Sequence, residues 1–237
     1  MLRSALLVTV GVAFTAYICL VVIILSLFSG GADRAHKVAR IWAKILLLIS
    51  STKVTVIGGH NVLSKQPQVF MCNHQSDFDI LVAMAHIPGQ FRWIAKKELF
   101  RIPIFGPAMR GVGYIEIDRQ DHQKAMKSLD KAAEKIRQGK SVMTFPEGTR
   151  SRDGQVKPFK PGTFYLAIKS GAPIVPVTIV GTAEIMPRRS LKVRPGRVTM
   201  IIDPPIDVNE YTLDTRDQLI KRVRDIIMEN KKKYGNP

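Results

Sequence analysis

The chain has 237 residues, and its 36 Lys and Arg against 19 Asp and Glu give a formal net charge of +17. So large an excess favours anionic partners, namely nucleic acid, acidic lipid headgroups or phosphorylated substrates, without choosing among them. The two cysteines, Cys19 and Cys72, lie in apolar stretches and lack the spacing of a disulfide framework or a metal site. They favour a reducing compartment for the folded part of the chain.

The N-terminal segment 5–28 contains no charged residue over 24 positions. As a helix it would be about 36 Å long, enough to cross the core of a bilayer, and it exceeds the apolar core of a signal peptide, about 7–15 residues. We therefore predict a retained membrane helix. Basic residues are more numerous after this segment than before it, which places the following domain on the cytoplasmic side of the membrane.

A second, amphipathic helix is predicted over residues 34–49, with Trp42 on its apolar face. Its basic side chains are Lys37, Arg40 and Lys44. The helix is either an ordinary core helix or an interfacial helix whose basic stripe meets anionic headgroups, and its position after a membrane segment favours the second interpretation. We predict that residues 1–50 form a membrane-associated helix pair and that residues 51–237 form one α/β domain.

Strand and helix patterns alternate along this domain. The predicted strands are 53–57, 68–72, 91–95, 113–117, 141–145, 174–180 and 198–202. The predicted helices are 76–86, 121–138, 162–169 and 213–232, and the proline-punctuated stretch 102–107 is expected to be short and broken. Such alternation predicts a mixed, largely parallel sheet flanked by helices.

The stretch 69–79 is the most informative part of the sequence. It combines a short apolar strand, a polar turn and the start of a helix, and Ser76 followed by Asp79 is typical of a capping box. Asp79 can then reach one imidazole nitrogen of His74 and leave the other free, as a general base requires. On spacing alone, the alternative is that Asp79 only caps its helix and His74 is a solvated turn residue.

Four stretches are expected at strand ends, where open α/β sheets place their sites. They are Asn73-His74 through Asp79, 113–119 with Arg119, Phe145-Pro146-Glu147-Gly148-Thr149-Arg150-Ser151, and Ile174-Val175-Pro176-Val177. In this order they resemble the four sequence blocks of the glycerolipid acyltransferases and, more narrowly, the bacterial 1-acyl-glycerol-3-phosphate acyltransferases. The resemblance covers roughly residues 50–205 and includes 95–99 and 160–162.

The resemblance implies transfer of a fatty acyl chain from acyl-CoA or acyl carrier protein to the 2-hydroxyl of lysophosphatidate, giving phosphatidate at the cytoplasmic face of the inner membrane. It implies no metal, no cofactor beyond the acyl donor and no nucleic-acid partner. His74 is implied as the general base and Asp79 as the residue that orients it. No acyl-enzyme is required, so Cys72 need not be a nucleophile.

The resemblance also implies a set of substrate-binding residues. They are Lys96, Arg119 and Arg150 as phosphate ligands, Glu147 as acceptor of a hydrogen bond from a glycerol hydroxyl, Gly148 and Thr149 in the turn, and Val175 and Pro176 lining the acyl or thioester region. Lys97 is an equal alternative to Lys96, and an ion pair with Asp118 or Glu116 is the alternative for Arg119. Backbone amides near Gly148 are expected to stabilise the oxyanion.

Two further classes and other acceptors remain alternatives. A serine lipid hydrolase would need a Gly-x-Ser-x-Gly elbow, which the sequence lacks. A basic module for nucleic acid or membrane has no RNA-recognition or zinc-finger signature to support it. The clusters at 188–197 and 231–233 are solvated faces, a membrane-facing patch or a dock for the acyl carrier. Another lysophospholipid or glycerol 3-phosphate is the alternative acceptor.

Overall fold

Seven strands form one mixed sheet within the residues that the computed structural model describes, 2–151 and 154–235. The strands are β1 Thr52–Ile57, β2 Val69–Cys72, β3 Phe91–Lys96, β4 Ile115–Ile117, β5 Ser141–Thr144, β6 Ile174–Val180 and β7 Gly196–Ile202. The α-helices are α1 Leu2–Ser26, α2 Gly31–Ile49, α3 Phe78–His86, α4 Phe105–Gly111, α5 His122–Arg137, α6 Gly162–Ser170, α7 Thr182–Ile185 and α8 Arg216–Tyr234. Short 3-10 helices lie at Gly59–Asn61 and Lys97–Arg101.

The order of the strands across the sheet is β1-β7-β6-β2-β5-β3-β4. The β6–β7 pair is antiparallel and the other neighbouring pairs are parallel, so β6, β2, β5, β3 and β4 end at the same edge. The inner strands β2, β5 and β6 are buried at every position because helices cover both faces of the sheet. The predicted mixed, largely parallel sheet with flanking helices is confirmed.

The two faces of the sheet bury different clusters of side chains. On β5, Met143 belongs to a cluster with α2 and α3, whereas its neighbour Val142 belongs to a cluster with α5, α6 and α8. This follows from the alternation of side chains along a strand. The edge at which the parallel strands end therefore lies between two helical layers, and the polar turns after β2, β3, β4 and β5 meet there.

Helix α1 is, among the described residues, the one helix long and apolar enough to cross a membrane. Only 11% of its most apolar 18-residue window is buried, unlike the core helix of a soluble protein. It packs along α2 and against α4. Trp42 Nε1 donates to Thr15 Oγ1 over 3.0 Å, and Ser4 Oγ is hydrogen-bonded to the backbone of Val193, so α1 is tied both to α2 and to the α/β domain.

Charged side chains of α2 attach this helix to the α/β domain through an ion pair and hydrogen bonds. Asp33 forms an ion pair with the buried Arg92, and Arg40 donates to the backbone carbonyls of Ala85 and Gly89 at the end of α3. The prediction of a basic stripe is therefore wrong for Arg40, because its side chain caps the C-terminus of α3. The buried residues of α2 are Gly31, Ala35, His36, Ala43 and Leu47, whereas its large apolar residues Ile41, Ile45, Leu48 and Ile49 are exposed.

Three local predictions differ from the structure. The stretch after residue 102 was expected to be broken, but α4 forms there, and Pro107 is tolerated because it lies in the first turn, where no backbone donor is needed. Helix α7 was not predicted, since a single turn of four residues leaves no periodic pattern. Helix α3 begins at Phe78, two residues after the predicted start.

Candidate active site

His74 and Asp79 form a hydrogen-bonded pair at the carboxyl end of β2. His74 Nδ1 lies 2.9 Å from Asp79 Oδ2; the Asp79 side chain is fully buried and that of His74 is 13% exposed. In the tautomer whose Nδ1 donates to this carboxylate, Nε2 carries the free lone pair. The structure thus brings together the two residues whose spacing suggested contact, in a geometry that lets Nε2 accept a proton.

The carboxylate of Asp79 is held by more donors than the sequence indicated. Its Oδ2 accepts from the backbone N–H groups of Gln75 at 2.6 Å and Ser76 at 2.8 Å, and its Oδ1 accepts from the Thr182 hydroxyl at 2.5 Å. The Ser76 bond is one half of the predicted capping box. The other half is displaced, because Ser76 Oγ accepts from the N–H of Phe78. These donors offset the cost of burying the charge.

The other side of the His74 ring is covered by an aromatic side chain. Phe145, directly after β5, stacks on the imidazole with ring centroids 3.9 Å apart and an interplanar angle of 10°, and Trp93 packs behind Phe145 at 5.3 Å. The imidazole is thereby fixed by a hydrogen bond at one nitrogen and by a flat contact on one face. Phe145 belongs to a predicted site stretch, but its stacking on His74 was not predicted, and Thr182 was missed altogether. Thr182 is 103 residues from Asp79 and lies in no motif.

Glu147 has a different environment from the predicted one. It is buried, and its two oxygens accept from the backbone N–H groups of His74 at 2.7 Å and Lys157 at 3.0 Å. Burial raises its pKa above the usual value, and the two backbone donors oppose that shift. The predicted contact with a glycerol hydroxyl does not match this position. The carboxylate instead joins the turn that carries His74 to the loop that follows β5.

The predicted phosphate-binding cations lie around the strand ends but contact different groups. Arg150 forms an ion pair with Asp77, and Arg119 donates to the Gly148 carbonyl. The predicted alternative for Arg119, an ion pair with a neighbouring acid, is not observed, because Asp118 pairs with Lys97. Lys96, the last residue of β3, is exposed.

The turn after β5 and the fourth predicted stretch also differ from expectation. Gly148 has φ +72°, which favours glycine, and its N–H donates to the Phe145 carbonyl at 3.0 Å, so this amide is not available to an oxyanion. Thr149 is exposed. Val175 and Pro176 are buried in the middle of β6, paired with Phe70 and Met71, and not at a strand end. The placement at a strand end is wrong, because these residues lie within the strand 174–180, whose extent the sequence predicted.

A large apolar cavity borders the site on the side of the N-terminal helices. It has a volume of about 570 Å³ and lies between α1, α2, the start of α3 and the stretches 102–105 and 186–193. Asp77 and Phe78, which closely follow His74 in the chain, line it, as do Gly11 and Leu46 from the helix pair. We call this the first cavity.

A second cavity, of about 370 Å³, lies on the other side of the sheet, between β3, β4, β5 and helices α5 and α6. Its interior is apolar, with Ile94, Met126 and Leu129, and Arg119 and Lys160 are among its lining residues. Phe145, whose ring stacks on His74, also lines it. His74 is therefore flanked by residues of two cavities, each in the ordinary size range of small-molecule sites.

The fully buried Cys72 is not a plausible nucleophile. Burial and the nearby carboxylates of Asp79 and Glu147 raise the pKa of its thiol well above the usual value, whereas a reactive thiol needs a lowered one. The described residues include no group of three or more His, Cys, Asp or Glu side chains arranged to hold a metal ion.

The structure combines a mixed α/β sheet, a histidine oriented by a buried aspartate at a strand end, and an apolar N-terminal helix. The sequence model of the acyltransferase family matches residues 53–180. The chain belongs to this acyltransferase family.

Individual relatives carry more specific names. The chain is 38% identical over 173 residues to a chloroplastic 1-acyl-sn-glycerol-3-phosphate acyltransferase of Brassica napus, covering 72% of this chain and 50% of the relative. It is 32% identical over 189 residues to the human 1-acyl-sn-glycerol-3-phosphate acyltransferase alpha, covering 79% and 67%. The crystal structure of the 1-acyl-sn-glycerophosphate acyltransferase PlsC from Thermotoga maritima superposes with a TM-score of 0.85 at 25% identity, covering 98% of this chain and 94% of that one. The chain spans about half the length of the Brassica relative.

Proposed function

We propose that this protein transfers a fatty acyl chain from an acyl thioester to the free 2-hydroxyl of 1-acyl-glycerol 3-phosphate, yielding phosphatidate. The observation that carries the proposal is the hydrogen-bonded His74–Asp79 pair at the carboxyl end of β2, next to Phe78, which lines the first cavity, and Phe145, which lines the second. An acyl transfer between two large substrates needs a base that both can approach. The names of the relatives supply the acceptor, and the chemistry of the site agrees with them.

The proposed reaction starts with the removal of a proton from the acceptor hydroxyl. His74 Nε2 takes this proton as the oxygen attacks the thioester carbonyl, and Asp79 stabilises the resulting imidazolium. The tetrahedral intermediate then collapses, the C–S bond breaks, and the imidazolium returns the proton to the departing sulfur. Ester and thiol are the products, and His74 is neutral again. No residue is acylated in this scheme, in keeping with the inert Cys72.

Arg150 is the cation that we assign to the phosphate of the acceptor. Its partner Asp77 lines the first cavity, and the pair is partly exposed, with side-chain exposures of 30% for Arg150 and 51% for Asp77. An exposed ion pair contributes little, so a doubly charged phosphate can replace the carboxylate at modest cost. Lys96 and Arg119 stay predictions as further ligands of this phosphate.

The apolar surfaces of α1 and α2 are proposed to lie in the membrane, with the α/β domain on its cytoplasmic side. Many large apolar side chains of the helix pair are exposed, among them Leu20, Ile24 and Leu48, and residues of both helices line the first cavity. A lysophospholipid could then keep its acyl chain in apolar surroundings while its glycerol reaches His74. Because soluble proteins rarely expose large apolar patches, an exposed apolar area indicates a contact with a membrane or with another protein.

The test is an assay of the purified full chain in mixed micelles, read by mass spectrometry. Lysophosphatidate, other lysophospholipids and glycerol 3-phosphate are offered as acceptors, each with acyl-CoA and with acyl carrier protein as donor. We expect phosphatidate from lysophosphatidate, with turnover lowered by roughly two to four orders of magnitude in His74→Ala. Near-normal turnover in that variant, at an unchanged melting temperature, would contradict the assignment. Free fatty acid formed without an acceptor would indicate a hydrolase.

A further inference from the structure

The buried carboxylate of Asp79 receives its hydrogen bonds from two separate parts of the chain. Its Oδ2 accepts from nearby donors, namely Nδ1 of His74 and the backbone N–H groups of Gln75 and Ser76. Its Oδ1 has one hydrogen-bond donor among the described residues, the hydroxyl of Thr182 at 2.5 Å. Asp79 and Thr182 are both fully buried, so bulk water cannot replace this donor. The orientation of the carboxylate therefore depends on a residue that is distant in the sequence.

Thr182 is held in place by the backbone around it. It is the first residue of α7, and the preceding Gly181 has φ +97°, a left-handed conformation that favours glycine. A Cβ added at Gly181 would lie 2.3 Å from the carbonyl oxygen of Arg197 on β7, so the chain passes closely against this strand. At the other end of α7, the Met186 N–H donates to the Thr182 carbonyl at 3.0 Å. The backbone thus fixes the position from which the hydroxyl donates.

Further hydrogen bonds join the turn after β2 to the same region of the chain. The side-chain amide of Asn73 pairs with both the N–H and the carbonyl of Ile179 near the end of β6, each at 2.8 Å. Ser76 Oγ donates to the carbonyl of Met186, the residue that follows α7, at 2.7 Å. The turn is therefore fastened to the end of β6 and to the end of α7. The Thr182 bond lies between these two attachments and is the one that reaches the catalytic pair.

A donor to Oδ1 of Asp79 affects His74 in two ways. It opposes rotation of the carboxylate, so that Oδ2 continues to face the imidazole, and it stabilises part of the carboxylate charge. Without this donor, the carboxylate would hold the imidazolium more firmly and oppose the return of the proton to the leaving group. Glu147 and Cys72 also interact electrostatically with Asp79, but neither donates to Oδ1, and the ionisable side chain of α7, Glu184, is exposed.

We propose that Thr182 is a positioning residue of the acyl transfer, because its hydroxyl fixes the Asp79 carboxylate against His74 and thereby controls proton transfer at Nε2. This inference rests on the proposed function, in which His74 first accepts a proton and then returns it. Thr182 acts through Asp79 and is not itself a catalytic residue. If the hydroxyl contributed to stability alone, its removal would lower the melting temperature and leave the pH dependence of the reaction as it is.

Thr182→Val tests the proposal, because valine keeps the shape of the side chain and removes the hydroxyl. We expect kcat to fall roughly tenfold, the usual effect of one hydrogen bond to a charged group, with KM for donor and acceptor nearly unchanged. The pH at which kcat/KM reaches half of its plateau should move upward by about one unit, because a firmly held imidazolium persists to a higher pH. Thr182→Ser keeps the hydroxyl and should return the rate and the pH profile to those of the unaltered protein.

Thr178→Val is the matched control. Thr178 is equally buried, lies on β6 and pairs its hydroxyl with Asn230 Nδ2 at 3.2 Å. This variant also removes one buried hydroxyl, so its melting temperature should fall by a similar amount, but its pH profile should match that of the unaltered protein. A pH profile that is unchanged in Thr182→Val, or displaced equally in both valine variants, would overturn the inference. Should Thr182→Val not fold, a displaced profile in Thr182→Ser, which retains the hydroxyl, would also overturn it.

Nuclear magnetic resonance on the full chain in detergent separates this inference from the proposed function, because it needs no substrate. The observed signal is the Nδ1 proton of His74, assigned by its loss in His74→Ala. It should move further downfield in Thr182→Val, since a carboxylate with fewer donors forms a stronger hydrogen bond, and should stay in place in Thr178→Val. If it moves but the unaltered protein forms no phosphatidate, the proposed acceptor fails and the role of Thr182 stands. Phosphatidate formation with an unmoved signal would overturn the inference alone.

Discussion

The two cavities beside His74 differ in what they expose to a ligand. The first is walled by the N-terminal helices and α3 and is almost wholly apolar, with Asp77 as its acidic residue among those described. The second is smaller, lies within the α/β domain and has three cations at its lining. The first cavity matches an acceptor that stays in the lipid.

The difference also explains why a helix pair is attached to the domain. The sheet and its polar turns assemble the His74–Asp79 pair without help from α1 or α2. The first cavity, by contrast, is incomplete without side chains such as Leu7 and Leu46 from these helices. The α/β domain alone positions the His74–Asp79 pair, whereas the cavity proposed for the lipid is formed by the domain and the helices together.

Asp79→Asn should produce the largest effect and should not distinguish the two cavities. The amide cannot accept at full strength from Gln75, Ser76 and Thr182 and stabilises the imidazolium poorly, so we expect kcat to fall roughly 10²- to 10⁴-fold. KM for donor and acceptor should change little. A control melting curve is needed because the residue is buried. A loss seen only as a higher KM for one substrate would contradict a shared base.

Gly11→Leu should affect the first cavity alone. Gly11 lines it, and the nearest atom to an added Cβ is Leu46 Cδ2 at 3.8 Å, so a larger side chain fits without a clash but occupies the cavity. Because each buried methylene contributes about 0.8 kcal/mol, displacing two or three from the cavity should lower kcat/KM for long-chain substrates roughly 10- to 50-fold. Short-chain substrates should be spared. A uniform loss across chain lengths would argue that no acyl chain lies there.

Glu147→Gln tests whether this carboxylate is a structural link between the turn that carries His74 and the loop that follows β5. The glutamine NH2 would face a backbone N–H of His74 or Lys157, and one hydrogen bond would be lost. We expect a destabilisation of about 1–3 kcal/mol and a several-fold lower kcat, with KM for lysophosphatidate unchanged. Thermal melts and steady-state kinetics provide both readings. A selective rise of KM for the acceptor would instead support the predicted hydrogen bond from a glycerol hydroxyl to Glu147.

Asp77→Asn should have a small effect in the opposite direction. Removing the carboxylate frees Arg150 from its ion pair, and an exposed pair contributes at most about 1 kcal/mol, so KM for lysophosphatidate should fall two- to fivefold. The donor KM should stay the same, because Asp77 is at the first cavity. Arg150→Ala is the matched variant and should raise the acceptor KM. An unchanged KM for lysophosphatidate in both variants would show that Arg150 does not bind the acceptor.

Much of this arrangement could be predicted from local sequence. His74 and Asp79 are five residues apart on one strand–turn–helix unit, so their contact is local and their spacing suggested it. The long-range parts could not be predicted. Thr182 reaches Asp79 across 103 residues through a one-turn helix, and Glu147 faces backbone amides that only the folded loops bring close. The positions of Arg119 and Arg150 likewise depend on the folded loops, since Arg119 lines the second cavity and Arg150 pairs with Asp77, which lines the first.

The last prediction concerns the pH dependence of stability at a buried histidine of α2. His36 on α2 is fully buried against Phe91, with ring centroids 4.8 Å apart, and neither nitrogen has a partner among the described residues. Burial, with Arg92 and Arg40 nearby, lowers its pKa to about 3, and Asp33 opposes this shift. The neutral form is therefore the one that the folded state accepts.

The sign of the pH dependence follows from that lowered pKa. An unfolded histidine has a pKa of about 6.5, so below that pH the unfolded chain binds a proton that the folded protein excludes, and stability falls as the pH decreases from about 6.5 towards 3. His36→Leu should flatten this dependence by about 1 kcal/mol per pH unit, measured as the melting temperature in detergent between pH 7.5 and 5.5. Replacing the exposed His60 with Gln is the control and should leave the profile as it is. If His36→Leu and the unaltered protein lose stability in parallel as the pH falls, His36 is not the source of the acid sensitivity.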